Sequence, residues 1–155
     1  LHKFFAELKE PLERELEGRG VSIGLQLRDK GIARFDEHKI QRAVHNLARN
    51  AAEALGAEGG RFDITVDRDH LDNSLLLVFE DDGPGIPEEI RHAVFESFTT
   101  HGKQGGTGLG LALSARVLAY LGGELELLNP GEPGARFRVR VPIAAAPAPA
   151  REVGA

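Results

Sequence analysis

An amphipathic segment in the first half of the chain restricts what the chain can fold into. The stretch QRAVHNLARNAAEAL, residues 41–55, has apolar residues at the spacing of an α-helix. At about 100° per residue, one arc of this helix is apolar and the opposite arc is polar. The apolar arc holds Ile40, Val44, Leu47, Ala48, Ala51 and Leu55, and the opposite side holds Arg42, Asn46, Asn50 and Glu53. We therefore expect a helix that packs one face and presents the other.

Asn46 and Asn50 are unusual within such a helix. Asn is a weak helix former because its amide competes with the backbone for hydrogen bonds. The interpretation without a function is two solvated amides on a helix exterior. The functional interpretation uses side-chain oxygens as ligands for Mg²⁺, which prefers oxygen and usually bridges substrate phosphates. Two asparagines one turn apart suggest a face with a function.

Composition places the chain among soluble globular domains and excludes several classes of protein. The 155 residues suffice for one domain with a sizeable core. A formal net charge of -5 and the lack of a basic stripe argue against nucleic-acid binding. No apolar run approaches the roughly 20 residues needed to cross a bilayer, so no direct membrane contact is expected. Without Cys, the fold has neither disulfides nor thiolate metal sites, and a cytoplasmic location is the default.

The two ends differ from the middle of the chain. The sequence begins with Leu1 and contains no Met, so we expect an excised part of a longer gene product. Residues 1–18 have helical spacing interrupted by Pro11, which predicts a helix that is kinked or that begins near Pro11, as the end of a preceding helical domain. Residues 19–143 form the main domain. Residues 144–155 are rich in Ala and Pro and predict a flexible tail.

Several strands are predicted around the amphipathic helix, for which Asp36 is the expected N-cap and Gly56 or Gly59 the C-cap. Residues 21–29 alternate as a strand does, and a shorter strand is expected at 32–35. Two further runs, 61–70 and 74–82, predict an antiparallel hairpin whose second strand is central because residues 75–79 are almost wholly apolar. Two last strands, 124–128 and 135–141, are joined by the turn NPGEPG.

A glycine corner, DDGPGIP at residues 81–87, follows the central strand, and a short helix is expected from Pro87 to about Phe95. The simple interpretation is a type I turn with Asp at its start. In the functional interpretation, Asp81 accepts a hydrogen bond from an exocyclic amine, and Gly83 and Gly85 let a flat ring approach the backbone.

A second glycine-rich stretch, GGTGLGL at residues 105–111, precedes a helix that ends near Gly122. Backbone amides at a helix N-terminus, with no side chains in the way, form an anion site and suggest phosphate. A tight corner without a ligand is about as plausible for this stretch alone. It is neither a Walker loop nor a dinucleotide fingerprint.

Taken together and in this order, the motifs resemble the ATP-binding domain of histidine kinases, within the GHKL superfamily. HNLARNAAEAL resembles the N box, DDGPGIP the first glycine box, FESF the phenylalanine box and GTGLGLALS the second glycine box. The resemblance covers about residues 21–142. It implies a Bergerat ATP-binding fold: an α/β (α+β) two-layer sandwich with a mixed, largely antiparallel sheet and helices on one face.

The resemblance also implies roles for residues and two cofactors, ATP or ADP and Mg²⁺. Asn50 would ligate Mg²⁺, Asn46 would lie near the phosphates or the metal, and Asp81 would bind the adenine amine. Residues 99–105 would form a mobile lid anchored by Phe95 and Phe98. The other binding residues would be Gly83, Gly85, Ile86, Thr99, Lys103, Gly106, Thr107, Gly108, Leu109, Gly110 and Leu111.

Two features of the sequence depart from the family pattern. Glu53 stands where many members have a Lys or Arg that contacts phosphate, which leaves Arg42, Arg49 and Lys103 as candidates for that charge. None of the six His matches the family's phospho-acceptor motif or has metal-ligand spacing. The acceptor His is therefore expected on a separate dimerisation domain, and this fragment is expected to be monomeric.

Three functions stay open at this point. The first is the catalytic domain of a sensor histidine kinase, which transfers the γ-phosphoryl group of ATP to a His in a two-component system with a response regulator downstream. Asn46 favours transfer over hydrolysis, because hydrolysing relatives have a Glu there and an amide cannot act as a general base. The alternatives are a Ser/Thr kinase of the anti-sigma type on the same fold and a non-catalytic nucleotide-sensing module.

Overall fold

Three helices and seven strands make up the described part of the computed structural model, which covers residues 1–90, 93, 95 and 110–145. The helices are α1 (His2–Glu17), α2 (Glu37–Leu55) and α3 (Gly110–Tyr120). The strands are β1 (Val21–Leu27), β2 (Ala33–Arg34), β3 (Gly60–Asp69), β4 (Ser74–Asp81), β5 (Glu124–Leu127), β6 (Arg136–Pro142) and β7 (Ala144–Ala145). Within these residues, no helix is both long and apolar enough to cross a bilayer.

The main sheet has five strands in the order β1-β3-β4-β6-β5, so the most apolar strand of the sequence, β4, is its centre. The β1–β3 pair is parallel and the other three pairs are antiparallel. The helices cover one side of this sheet, which confirms the predicted two-layer arrangement. Both long hairpin strands were predicted, and β3 and β4 pair as expected.

The core follows from the two-residue repeat of the strands. Inward-facing residues align across the sheet in rows, since paired positions point to the same side. One row joins Ile64 to Phe79 and Phe137, and the next joins Val66 to Leu77 and Val139. All six of these residues are buried. The opposite face carries a ladder of ion pairs: Glu80–Arg136, Glu126–Arg138 and Asp69–Arg140.

Helix α1 shares this core. It buries Phe5, Leu8, Leu12 and Leu16 at helical spacing, on both sides of Pro11. Of the two alternatives predicted for residues 1–18, a helix that begins near Pro11 was wrong, because α1 begins at His2 and continues through Pro11. Burial of apolar side chains before and after the proline offsets the one hydrogen bond that proline removes. The assignment of residues 1–18 to the end of a preceding helical domain stays a prediction.

Helix α2 begins and ends as the sequence predicts. The Asp36 carboxylate accepts a hydrogen bond from the Lys39 N–H at 3.1 Å and so caps the first turn. The helix ends at Gly56, whose φ of 65° is one that L-residues rarely adopt. Its buried side then lies over the sheet and against α3.

Two local differences from the sequence predictions remain. After Pro87 the described residues form a short 3₁₀ helix, Glu88–Ile90, where a longer helix was expected. At the C-terminus, Ala144–Ala145 pairs with Ala33–Arg34, although these alanines were assigned to the flexible tail. The pairing shows that the first two residues of the predicted tail form a strand. Residues 146–155 lie outside the described residues.

Candidate functional site

Asp81 ends the central strand, and its carboxylate is oriented by the backbone. Its Oδ1 accepts hydrogen bonds from the Gly83 N–H at 3.0 Å and from the Ala135 N–H at 3.2 Å. The Asp81 N–H in turn donates to the Ala135 carbonyl at 3.0 Å. Charge-assisted bonds of this kind are among the stronger hydrogen bonds in proteins. The half-buried carboxylate therefore has a defined direction.

The glycine corner after Asp81 is hydrogen-bonded to the turn between β5 and β6. The Gly134 N–H donates to the Gly83 carbonyl at 2.8 Å, and the Gly131 N–H donates to the Ile86 carbonyl at 2.7 Å. Gly85 has a φ of 81°, and a Cβ atom there would lie 2.0 Å from the Glu132 carbonyl oxygen. Both the backbone conformation and the close approach require glycine at position 85.

Gly83 brings the corner into contact with the end of α2. A Cβ atom at Gly83 would lie 3.3 Å from Leu55 Cδ2 and 3.1 Å from Asp81 Oδ1. The last turn of α2 thus lies beside the Asp81 carboxylate. Asn50 is five residues before Leu55, which is about 7.5 Å along the helix axis. The fold consequently brings the asparagine helix and the first glycine corner together.

The two asparagines differ in exposure. Asn50 is buried, with 8% of its surface exposed, whereas Asn46 is half-buried. The prediction that both lie opposite the apolar arc was therefore wrong for Asn50. Ala43 is buried and widens the arc, and Asn50 lies only about 20° from Ala43 around the helix. Asn50 is at the edge of the packed face, where a buried amide makes polar contacts.

Of the three basic candidates for a phosphate contact, Arg49 has a partner on α1. Its Nε donates to Glu15 Oε1 at 2.8 Å, and His45 Nδ1 lies 3.4 Å from Glu15 Oε2. The hydrogen bond from Arg49 is the main cause that lowers the pKa of Glu15, and the same bond raises the pKa of Arg49. Arg49 is therefore directed toward α1. Arg42 is exposed, and Lys103 lies outside the described residues.

Much of the second glycine box and the predicted lid also falls outside the described residues. This applies to Phe98, Thr99, Lys103, Gly106, Thr107, Gly108 and Leu109. Gly110 is the first residue of α3, and Leu111 is buried in the core. Phe95 packs against the core with its ring centroid 6.1 Å from that of Phe137.

Three residues at the site were not singled out from the sequence. Asn129, Gly134 and Ala135 form the turn that holds the Asp81 corner, but NPGEPG was interpreted only as a connection between strands. Its two glycines, both with a positive φ, were the available signal. A turn with positive φ at two positions has a backbone conformation that few residues other than glycine adopt readily. Nothing in the sequence indicates which loop that turn contacts.

Comparison with known proteins identifies the family of this chain. The family model for histidine kinase-, DNA gyrase B- and HSP90-like ATPases matches residues 35–145. The alginate biosynthesis sensor protein KinB of Pseudomonas aeruginosa is 34% identical over 129 residues, which are 82% of this chain and 21% of KinB. The sensory histidine kinase/phosphatase NtrB of Salmonella typhimurium is 32% identical over 117 residues, which are 70% of this chain and 33% of NtrB.

Solved structures show the same fold. ShkA, determined at full length in complex with AMPPNP, superposes with a TM-score of 0.80 at 26% identity, covering 96% of this chain and 31% of ShkA. The catalytic domain of the histidine kinase ThkA gives a TM-score of 0.77 at 26% identity, covering 92% of this chain and 91% of that domain. The present chain spans a third or less of the two sensor proteins described above. It belongs to the family of histidine kinase-, DNA gyrase B- and HSP90-like ATPases.

Proposed function

We propose that this chain is the catalytic domain of a sensor histidine kinase, which binds ATP and transfers its γ-phosphoryl group to a His on a separate dimerisation domain. The observation that carries the proposal is the Asp81 carboxylate, which two backbone N–H groups orient at the end of the central strand. It lies beside a glycine corner and the end of the asparagine helix. The similarity to sensor kinases supports the choice of reaction.

The Asp81 corner suits an adenine ring. A carboxylate in a partly apolar pocket accepts a hydrogen bond from the exocyclic amine, a group that guanine lacks at the same ring position. Gly83 and Gly85 carry no side chains, so the flat ring can approach the backbone. Ile86 is partly buried against the core and would supply apolar surface next to the ring.

Asn50 fits a role as a protein ligand for Mg²⁺. Mg²⁺ keeps several waters and is commonly held by one or two protein oxygens together with substrate phosphates, so a single amide oxygen is sufficient on the protein side. When bound, the ion would neutralise charge on the phosphates. Asn46, one turn earlier and half-buried, would face the phosphates without acting as a base, because an amide does not take up a proton near neutral pH.

The phosphate end of the site rests on the resemblance alone. We propose that Gly106, Gly108 and Gly110 shape the entry to α3, where backbone N–H groups would face the phosphates. Phe98, Thr99, Lys103, Thr107, Leu109 and Leu111 complete the proposed binding set. The acceptor His, the response regulator downstream and the cytoplasmic location belong to the same proposal for the whole protein.

The test uses the full kinase that contains this chain and ATP labelled at the γ-phosphorus. A histidine kinase acquires label that is lost in acid and retained in base. Binding of ATP without such label would contradict the proposal, and acid-stable label on a partner protein would indicate a Ser/Thr kinase instead. The Asn50→Ala variant serves as the control, since it should bind adenosine and acquire no label.

A further inference from the structure

In the turn between β5 and β6, one side chain adds two hydrogen bonds to those of the backbone. Asn129 Nδ2 donates to the Gly134 carbonyl at 2.8 Å, and Asn129 Oδ1 accepts from the Arg136 N–H at 2.8 Å. One amide thus connects the first residue of the turn to both residues that flank Ala135. Asn129 is partly buried, so water competes less for these bonds than it would at a fully exposed position.

Ala135, which lies between the two residues bonded by Asn129, contacts the Asp81 side chain. Its N–H donates to Asp81 Oδ1 at 3.2 Å, and its carbonyl accepts from the Asp81 N–H at 3.0 Å. The neighbouring Gly134 N–H donates to the Gly83 carbonyl at 2.8 Å. The Asn129 amide, the turn and the Asp81 carboxylate therefore form one continuous set of hydrogen bonds.

We propose that Asn129 is a positioning residue that determines how strongly the site prefers a purine with a 6-amino group. It would not touch the nucleotide. Its side-chain bonds position Ala135 and Gly134. The Ala135 N–H then orients the Asp81 carboxylate, and the Gly134 N–H orients the glycine corner through the Gly83 carbonyl. The proposal rests on the proposed function, since it takes Asp81 as the acceptor for the adenine amine.

The turn depends on this side chain because its own backbone is permissive. Gly131 and Gly134 both have positive φ values, and glycine has more conformations available to it than any other residue. A Cβ atom at Gly134 would lie 2.5 Å from the Asp81 carbonyl oxygen, so the residue cannot be made more rigid by a larger one. Removing the Asn129 amide takes away two of the hydrogen bonds that restrict the turn, so the direction of the Ala135 N–H toward Asp81 should be less well defined.

The experiment compares binding of ATP with binding of purine riboside triphosphate, which lacks the 6-amino group. The unsubstituted chain should prefer ATP by about ten- to hundredfold, the usual effect of a hydrogen bond to a charged group. In the Asn129→Ala variant this preference should fall by about three- to tenfold. Affinity for the analogue should change little, because the analogue never uses the Asp81 contact.

Asn73 offers a matched control at the far end of the sheet. Its Nδ2 donates to the Ile143 carbonyl at 2.5 Å, which joins the turn between β3 and β4 to the residue after β6. Its φ of 54° is readily adopted by glycine, so Asn73→Gly removes the side-chain bond without adding strain. This variant should lower the thermal unfolding midpoint and leave the ratio of the two affinities unchanged.

The outcomes separate the inference from the proposed function. An unsubstituted chain that binds both nucleotides equally would contradict the role of Asp81. A normal preference that persists in Asn129→Ala would overturn the role of Asn129 alone. If Asn129→Ala does not fold, Asn129→Asp replaces it: this variant keeps the shape and the bond to the Arg136 N–H but places an oxygen against the Gly134 carbonyl. Asn129→Asp should also reduce the preference for ATP over purine riboside triphosphate. An unchanged ratio of the two affinities would overturn the role of Asn129.

Discussion

Asp81 and Ala135 are joined by hydrogen bonds in both directions, one through the backbone at 3.0 Å and one through the Asp81 carboxylate at 3.2 Å. The first bond extends the β4–β6 ladder by one step beyond its last paired residues, Glu80 and Arg136. The second turns the carboxylate of Asp81 toward the end of the sheet. The polar group proposed to recognise adenine is thereby positioned by the sheet itself.

The Asp81→Asn variant should weaken ATP and ADP binding alike, by about ten- to hundredfold, because an uncharged amide is a poorer acceptor for the adenine amine. Its amide oxygen can still accept from the Gly83 and Ala135 N–H groups, so the fold should persist. Isothermal titration calorimetry with both nucleotides measures the effect. Asp82→Asn is the neighbouring control, since Asp82 is exposed and bonds the Arg61 N–H at 2.8 Å. Equal affinities in the two variants would contradict the assignment.

The Asn50→Ala variant should lose the gain in ATP affinity that Mg²⁺ provides and lower phosphoryl transfer by at least about a hundredfold, as removal of a charge-stabilising group commonly does. Adenosine, which has no phosphates, should bind as before. Because Asn50 is buried, the substitution should also cost about 1–3 kcal/mol of unfolding free energy. Calorimetric titrations with and without Mg²⁺ test this, and a normal Mg²⁺ response would exclude the metal role.

The Gly85→Ala variant should destabilise the domain by more than about 3 kcal/mol, because strain at positive φ adds to a contact of 2.0 Å with the Glu132 carbonyl oxygen. Gly122→Ala is the matched control: Gly122 has a φ of 75°, but the nearest atom to the added Cβ, Pro142 Cγ, would be 3.9 Å away. It should cost about 1–2 kcal/mol from backbone strain alone. Denaturant unfolding of both variants gives the comparison, and equal losses would show that the contact with Glu132 does not matter.

The Glu15→Gln variant tests the connection between α1 and α2 through pH. The pKa of Glu15 is lower in the folded state than its ordinary value of 4.5, chiefly because of the Arg49 hydrogen bond. Its contribution to stability is therefore fully present above pH 4.5 and is lost as the pH falls through the lowered folded-state pKa. The difference in unfolding free energy between this variant and the unsubstituted chain should be about 1 kcal/mol or less near neutral pH and should vanish in acid.

Denaturant unfolding between about pH 6 and pH 2 measures the difference in unfolding free energy between Glu15→Gln and the unsubstituted chain. Glu10→Gln is the control on the same helix, because Glu10 pairs with Arg14 within α1 and both side chains are mostly exposed. This control should show a difference close to zero throughout. A Glu15→Gln effect that stays constant into acid would show that the carboxylate charge is not responsible.

Local patterns were enough to predict most elements of the fold. The alternation along β3 and β4 predicted their hairpin, and Asp36 and Gly56 marked the two ends of α2. Pro11 left two alternatives open, because the sequence shows the hydrogen bond that a proline removes and not the packing that compensates for it. Likewise, the alanines at 144 and 145 show no strand pattern of their own. Their pairing with β2 arises because the fold brings two segments that are distant in sequence next to each other.

The sequence by itself determined the residue types of the candidate site and the order of its motifs, since glycine spacing, the paired asparagines and the acid after an apolar strand are local properties. Only the tertiary structure decided how those residues are oriented. The burial of Asn50, the direction of Arg49 toward Glu15 and the turn at Asn129 that holds Asp81 all depend on contacts between residues far apart in the chain. A linear pattern records which side of an element is apolar, but the partner of a polar side chain is set by the packing of a different element.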